Sequence, residues 1–133
     1  MITKPKVLVI DDEEVVRNGF ARALESDQCN VAQSGSGPVG LETLDRERFD
    51  VVLLDLRMPE MDGVEVLGQI KKRWPETEVI VITGYPAVDT AKEAVRLGAY
   101  DYLAKPVGCD EVARVTHRAM QHKQWAMRSV AAA

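Results

Sequence analysis

The run Val51-Val-Leu-Leu-Asp-Leu-Arg-Met-Pro-Glu-Met-Asp-Gly63 decides how the rest of the chain reads. Its first four residues are apolar without alternation, the pattern of a strand covered on both faces, as in parallel sheets. The apolar run stops at one carboxylate, Asp55. Pro59 and Gly63 then mark a loop before helical periodicity resumes. In open α/β sheets, ligands gather outside the carboxyl ends of the strands. Asp55 therefore stands where chemistry is expected.

Working outward, Val64, Val66, Leu67 and Ile70 give a helical stripe halted by Trp74-Pro75. Glu78 to Thr83 is rich in β-branched residues and reads as the strongest strand. A helix bearing Val88, Ala91, Ala94 and Val95 follows and is closed by Gly98. Ala99 to Leu103 reads as a last strand, ending at Lys105-Pro106, and a last helix begins near Asp110 with Val112, Val115 and Ala119 on one side. Upstream, Lys6 to Ile10 is a compact strand that stops at Asp11 and Asp12. Val16, Phe20, Ala23 and Leu24 then line a helix whose first turn holds Glu13 and Glu14, suited to the positive end of the helix dipole. Asn30 to Ala32 is a short second strand. Pro38 opens a helix marked by Val39, Leu41 and Leu44 that should end near Arg48. Five β/α units of this spacing imply a parallel sheet between two helix layers, an α/β doubly wound fold.

Bulk properties narrow the function. A chain of 133 residues, 46% hydrophobic and 29% charged, suits one globular domain. A net charge of −4 argues against direct nucleic-acid binding, which needs a basic face. No apolar run approaches the roughly 18 residues of a membrane span, and the N-terminus lacks a signal peptide's apolar core. Cys29 and Cys109 have no motif spacing and read as reduced thiols, so a cytoplasmic location is expected.

Four of the five strands end in polar groups suited to phosphate: Asp11 and Asp12, Asp55, Thr83 and Lys105. A parallel sheet brings these ends to one edge. Three clustered carboxylates repel one another and call for a cation; an all-oxygen site with open positions suits Mg2+. Lys105 adds a point charge and Thr83 a hydroxyl donor. Phosphoryl transfer needs little beyond such positioning and charge neutralisation. Taken singly, each residue has a plainer reading. Asp11 and Asp12 could cap the first helix, Thr83 could be a turn residue, and Tyr102 could be core. Asp62 pairs with Gly63 in a turn, and His117 and His122 read as solvated helix residues.

Together these residues resemble the receiver domains of two-component response regulators. The resemblance runs from Lys4 to about Ala119. It rests on Asp11-Asp12, Asp55, Met58-Pro59 with Asp62-Gly63, Thr83-Gly84 and Lys105-Pro106, in order and spacing. It implies a flavodoxin-like strand order 2-1-3-4-5 and a phosphorylation-activated signalling switch. Asp55 would accept a phosphoryl group from a histidine kinase. Asp12, Asp55 and the Arg57 carbonyl would ligate Mg2+, with Asp11 acting mainly through water. Lys105 would pair with Asp55 and later with a phosphoryl oxygen, aimed by a cis bond to Pro106. Thr83 and Tyr102 would relay the change to the fourth helix, fifth strand and fifth helix, a surface that could also serve a homodimer. Arg57 and Tyr85 would flank the pocket and gate water.

The resemblance assigns residues 1–122 to the receiver and 123–133 to an extension of the last helix or a linker. Along the last helix, from Asp110 to Arg128, Ala113, Met120 and Met127 recur every seven residues, and Trp125, Met120 and Met127 could mark a partner surface. Arg114, Arg118, Lys123 and Arg128 make the helix locally basic. No output domain is recognisable, so the chain reads as a stand-alone regulator or as the receiver of a longer, transcriptional one. Two enzyme classes fit less well. An aspartyl-phosphate phosphohydrolase usually carries a second Asp two residues after its nucleophile, where this chain has Arg57. A flavoprotein of the same fold needs a phosphate-cradling loop after the first strand, and Asp11 to Glu14 would repel phosphate. As a switch the domain would catalyse only its own phosphorylation and dephosphorylation.

Overall fold

The computed structural model describes residues 4–58 and 61–132, with side chains described as far as residue 122. Five strands alternate with five helices: β1 (Lys6–Ile10), α1 (Glu14–Ser26), β2 (Asn30–Ser34), α2 (Gly37–Arg46), β3 (Val51–Leu54), α3 (Gly63–Arg73), β4 (Glu78–Thr83), α4 (Val88–Arg96), β5 (Asp101–Ala104) and α5 (Cys109–Ala132). All neighbouring strands pair parallel in the order β2-β1-β3-β4-β5. The chain thus reverses direction across the sheet between β1 and β3, which makes their carboxyl ends the switch point.

Alternate residues of each strand feed two separate cores. Leu8, Ile10, Val52, Leu54, Val79 and Val81 pack under α2, α3 and α4 with Leu41, Leu44, Val66, Leu67, Ile70 and Ala94. Val7, Val9, Val51, Leu53, Ile80 and Ile82 face α1 and α5 with Phe20, Leu24, Val112, Val115 and Ala119. Both faces are covered by helices, so the strands read as continuous apolar runs rather than alternating ones. Each fully buried Leu or Ile contributes about 1.5–3 kcal/mol.

Three valines assigned by periodicity to helix cores lie outside. Val39 is 47% exposed, Val88 70% and Val95 68%. In α2 the buried stripe is Gly37, Gly40, Leu41 and Leu44. A Cβ on Gly40 would lie 2.5 Å from Ile10 Cδ1, so any side chain there would push the Ile10 side chain aside. In α4 only Ala94 is buried, with Ala91 and Leu97 partly so; the contact stripe is rotated one residue from the valines. Gly98 closes α4 at φ +100°, with its N–H on the Val95 carbonyl and that of Ala99 on Ala94, a Schellman end.

Boundaries differ slightly from expectation. β2 runs on to Ser34, α2 stops at Arg46, β5 starts at Asp101, and α5 starts at Cys109. Met120 is a core residue at 8% exposure and not part of a surface. Cys29 and Cys109 are free thiols. His117 pairs with Asp27 and His122 Nδ1 lies 3.1 Å from Glu78 Oε2; Glu78 opens β4, at the sheet edge opposite Thr83. The expectations for Pro59 and for the side chains of Lys123, Trp125, Met127 and Arg128 fall outside the described residues. Among the described residues no helix is long and apolar enough to cross a membrane.

Candidate functional site

The strand ends do converge. Asp11 follows β1 and Asp55 follows β3, and the Asp55 N–H donates to the Ile10 carbonyl at 2.9 Å, so the two acids are held side by side by one last rung of backbone pairing. Asp11 is 2% exposed and Asp55 5%, whereas Asp12 is exposed. One carboxylate oxygen from each of Asp11, Asp12 and Asp55 lies within 4.8 Å of the others, a set able to hold a metal ion. Three hard oxygen donors with one side open to solvent fit Mg2+, which keeps several waters.

Lys105 enters from the end of β5, its backbone N–H bonded to the Thr83 carbonyl at 2.8 Å. Its ammonium lies 2.8 Å from Asp11 Oδ2, 3.5 Å from Asp55 Oδ2 and 3.9 Å from Glu13 Oε1. The lysine is thus shared, with Asp11 rather than Asp55 as its nearest partner. The Lys105–Pro106 peptide is cis.

Each buried carboxylate also has a backbone donor. Asp11 Oδ1 accepts the Glu13 N–H at 2.9 Å, and Asp55 Oδ1 accepts the Arg57 N–H at 3.0 Å. The first bond answers the capping alternative: the N-cap of α1 is Glu13, without a side-chain cap bond, and Asp11 braces the turn ahead of it. Asp62 caps α3 by accepting the Val64 N–H at 3.0 Å. Gly63 follows because a Cβ there would lie 2.3 Å from the Leu56 Cα; α3 begins hard against the chain that carries Asp55.

Charge follows burial. Desolvation pushes the Asp55 carboxyl above its ordinary 3.8; the Arg57 N–H and Lys105 oppose this, while Asp11 and Asp12 add to it. For Lys105, burial favours the neutral amine, but the hydrogen bond to Asp11 and the charges of Asp55, Asp11 and Glu13 outweigh it and raise the ammonium above 10.5. Lys105 is therefore charged at neutral pH.

Thr83 is 1% exposed, and its hydroxyl oxygen accepts the Tyr85 N–H at 3.2 Å. The Tyr102 hydroxyl accepts the Ala87 N–H at 3.4 Å. Both side chains hold the same β4–α4 loop. The Arg57 guanidinium lies 4.1 Å from the Tyr85 ring centroid, and both residues line the pocket with Asp12, Glu13, Asp55 and Lys105. Sequence reasoning placed Glu13 only at the helix dipole and passed over Arg17, whose Nη1 donates to the Asp11 carbonyl at 2.7 Å. Neither belongs to a strand end, the one signal that gathered the rest.

Fold and pocket define a doubly wound α/β domain with an acidic, lysine-bearing site at its switch point. The model of the response regulator receiver domain matches residues 7–117, and the chain belongs to that family. It is 38% identical over 116 residues to the regulatory protein AtoC of Escherichia coli strain K12, covering 87% of this chain. It is 40% identical over 118 residues to the DNA-binding transcriptional regulator NtrC of the same strain, covering 89% of this chain. The chain spans about a quarter of the length of these relatives, 25% of each. Among solved structures, NtrX from Brucella abortus superposes with a TM-score of 0.92 at 28% identity, over 98% of this chain and 30% of that one. A receiver domain protein from Clostridium thermocellum gives 0.86 at 34% identity, over 92% and 98%.

Proposed function

We propose that this domain is a phosphorylation-activated switch in which Asp55 is the phosphoacceptor. The observation that carries the reading is Asp55 itself: a carboxylate 5% exposed, beside two further acids and 3.5 Å from a charged lysine. A histidine kinase supplies the phosphoryl group. An Asp55 oxygen attacks the phosphorus, the phosphorus–nitrogen bond of the phosphohistidine breaks, and its electron pair stays on the imidazole nitrogen, which takes up a proton. Asp12, Asp55 and the Arg57 carbonyl would hold Mg2+, with Asp11 acting on it mainly through water. Bound there, Mg2+ supplies charge that offsets the carboxylates and the phosphoryl oxygens. Lys105 exchanges a carboxylate for a phosphoryl oxygen, and Thr83 turns its hydroxyl inward to another.

The same side chains carry the signal. Thr83 and Tyr102 hold the β4–α4 loop, so withdrawing Thr83 releases one anchor and lets Tyr102 follow. The altered surface is α4, β5 and α5 as far as residue 122, and the exposed Val88 and Val95 give it an apolar face for a second copy or a target. The phosphoryl group acts by favouring one of two packings. The domain converts no separate substrate, catalysing only its own phosphorylation and dephosphorylation. Residues 1–122 form the receiver, with 123–133 a helical extension or linker. It works in the cytoplasm, alone or as the receiver of a longer regulator of transcription, and does not itself bind nucleic acid.

The test is intact mass after incubation with Mg2+ and acetyl phosphate. One added phosphoryl group, labile to hydroxylamine and absent from Asp55→Asn or without Mg2+, is expected. Absence of both an adduct and a stable beryllofluoride complex in folded, Mg2+-binding protein would refute the switch.

A further inference from the structure

Arg17 stands one turn into α1, bonded to the backbone of Asp11, yet among the described residues it forms an ion pair with no carboxylate. Its guanidinium binds neutral acceptors instead. Nη1 donates to the Asp11 carbonyl at 2.7 Å and Nε to the Gln33 side-chain oxygen at 3.3 Å. A Cβ on residue 35 would lie 3.4 Å from Nη1, an ordinary van der Waals contact, so the guanidinium lies against the chain just past β2.

The carbonyl it holds is unusual in having no strand partner. At the end of β1, the Asp11 N–H pairs with the Ser34 carbonyl and the Ile10 carbonyl with the Asp55 N–H. The next acceptor, the Asp11 carbonyl, lies past the ladder. It belongs to the peptide that joins Asp11 to Asp12. Asp11 has both carboxylate oxygens engaged, by Glu13 and Lys105. Asp12 is exposed, and among the described residues no hydrogen bond holds its side chain. Its aim is set by the backbone alone.

We propose that Arg17 is a positioning residue for the metal site: by clamping the Asp11 carbonyl, with Gln33 as its second anchor, it fixes the peptide from which the Asp12 carboxylate projects. The inference rests on the Mg2+ reading above. A cation bonded to the Asp11 backbone would by charge alone weaken metal binding, so the sign of the effect separates the two roles. Partners that orient a ligand from behind typically matter by about 10–100-fold in metal affinity.

The experiment is a titration of the full 15N-labelled chain with MgCl2, following amide shifts at Asp12 and Arg57. Arg17→Met should weaken Mg2+ binding by about 10-fold. Arg17→Lys, which keeps one donor and the charge, should recover part of this. Gln33→Ala should weaken it less, in the same direction. Phosphoryl incorporation by Arg17→Met should return to the wild-type level at saturating Mg2+. Unchanged or tighter Mg2+ binding by folded Arg17→Met would overturn the inference, the tighter case showing a charge effect only. If Arg17→Met does not fold, unchanged affinity in both Arg17→Lys and Gln33→Ala does the same. If wild type binds no Mg2+ at all, the metal reading falls and takes this inference with it.

Discussion

The ammonium of Lys105 lies 2.8 Å from Asp11 and 3.5 Å from Asp55. The lysine's stronger bond is thus to the acid that is not the proposed nucleophile, leaving Asp55 less encumbered. Removing the ammonium strands two buried carboxylates. Lys105→Met should cost about 1–3 kcal/mol of stability in metal-free buffer, the range for a buried group left without its partner. Mg2+ should then raise the urea midpoint of the variant more than that of wild type, because the ion replaces the missing charge. An equal Mg2+ response in both proteins would count against a shared site.

The same burial makes Asp55 a pH-dependent liability. Its folded carboxyl is raised above the ordinary 3.8, so the folded state binds more protons than the unfolded one through that window. Stability therefore falls as pH rises through it. Asp55→Asn has no such ionisation. Its thermal midpoint should match wild type below about pH 3.5, climb above it across the window, and hold a constant advantage at neutral pH. Parallel melting curves at every pH would show that Asp55 ionises in the fold as freely as in the unfolded chain.

How much of this was legible follows from what each residue signals. A buried parallel strand is a continuous run of Val, Ile and Leu, and its end is visible where the run stops; Asp11, Asp55, Thr83 and Lys105 were found that way. Helix faces were harder. Periodicity finds a stripe but not its rotation, so Val88 and Val95 were placed inward when Ala94 holds the core. Gly37 and Gly40 share the inner face of α2 with Leu41 and Leu44, and glycine carries no apolar signal. Arg17 binds a backbone carbonyl, a partner that no side chain in the sequence encodes. The choice of Asp11 by Lys105 is a matter of less than an ångström, below anything spacing can resolve.

The Arg57 guanidinium stacks on the Tyr85 ring at 4.1 Å, and the expected role of this pair is to gate water. A guanidinium over an exposed ring is worth about 0.5–1 kcal/mol, or roughly 2–5-fold in occupancy of the stacked state. Both residues line the pocket, and as a gate they would slow the approach of attacking water. Tyr85→Ala should shorten the half-life of the acyl phosphate by a similar factor, and Arg57→Ala should do the same. The double variant should be no worse than either, since each removes the one contact. An unchanged half-life in Arg57→Ala would remove the gate from the mechanism, whatever Tyr85→Ala shows.

Thr83 and Tyr102 each hold one amide of the β4–α4 loop, Tyr85 at 3.2 Å and Ala87 at 3.4 Å. The relay can therefore be read one bond at a time by hydrogen exchange. Thr83→Val removes the acceptor and should speed exchange at Tyr85 alone; Tyr102→Phe should do so at Ala87 alone. The Tyr85 bond is part-buried and the Ala87 bond exposed, and both are long, so the gain should be modest, about 2–10-fold for a net bond of roughly 0.5–1.5 kcal/mol. In the proposed relay, beryllofluoride on wild type turns the Thr83 side chain toward the mimic and takes its oxygen away from the Tyr85 N–H. Tyr85 should then exchange as fast as in Thr83→Val, and Ala87 should follow only if Tyr102 moves too. Faster exchange at Tyr85 with Ala87 still protected would stop the relay at Thr83. Protection at both would mean that phosphorylation is felt elsewhere in the domain.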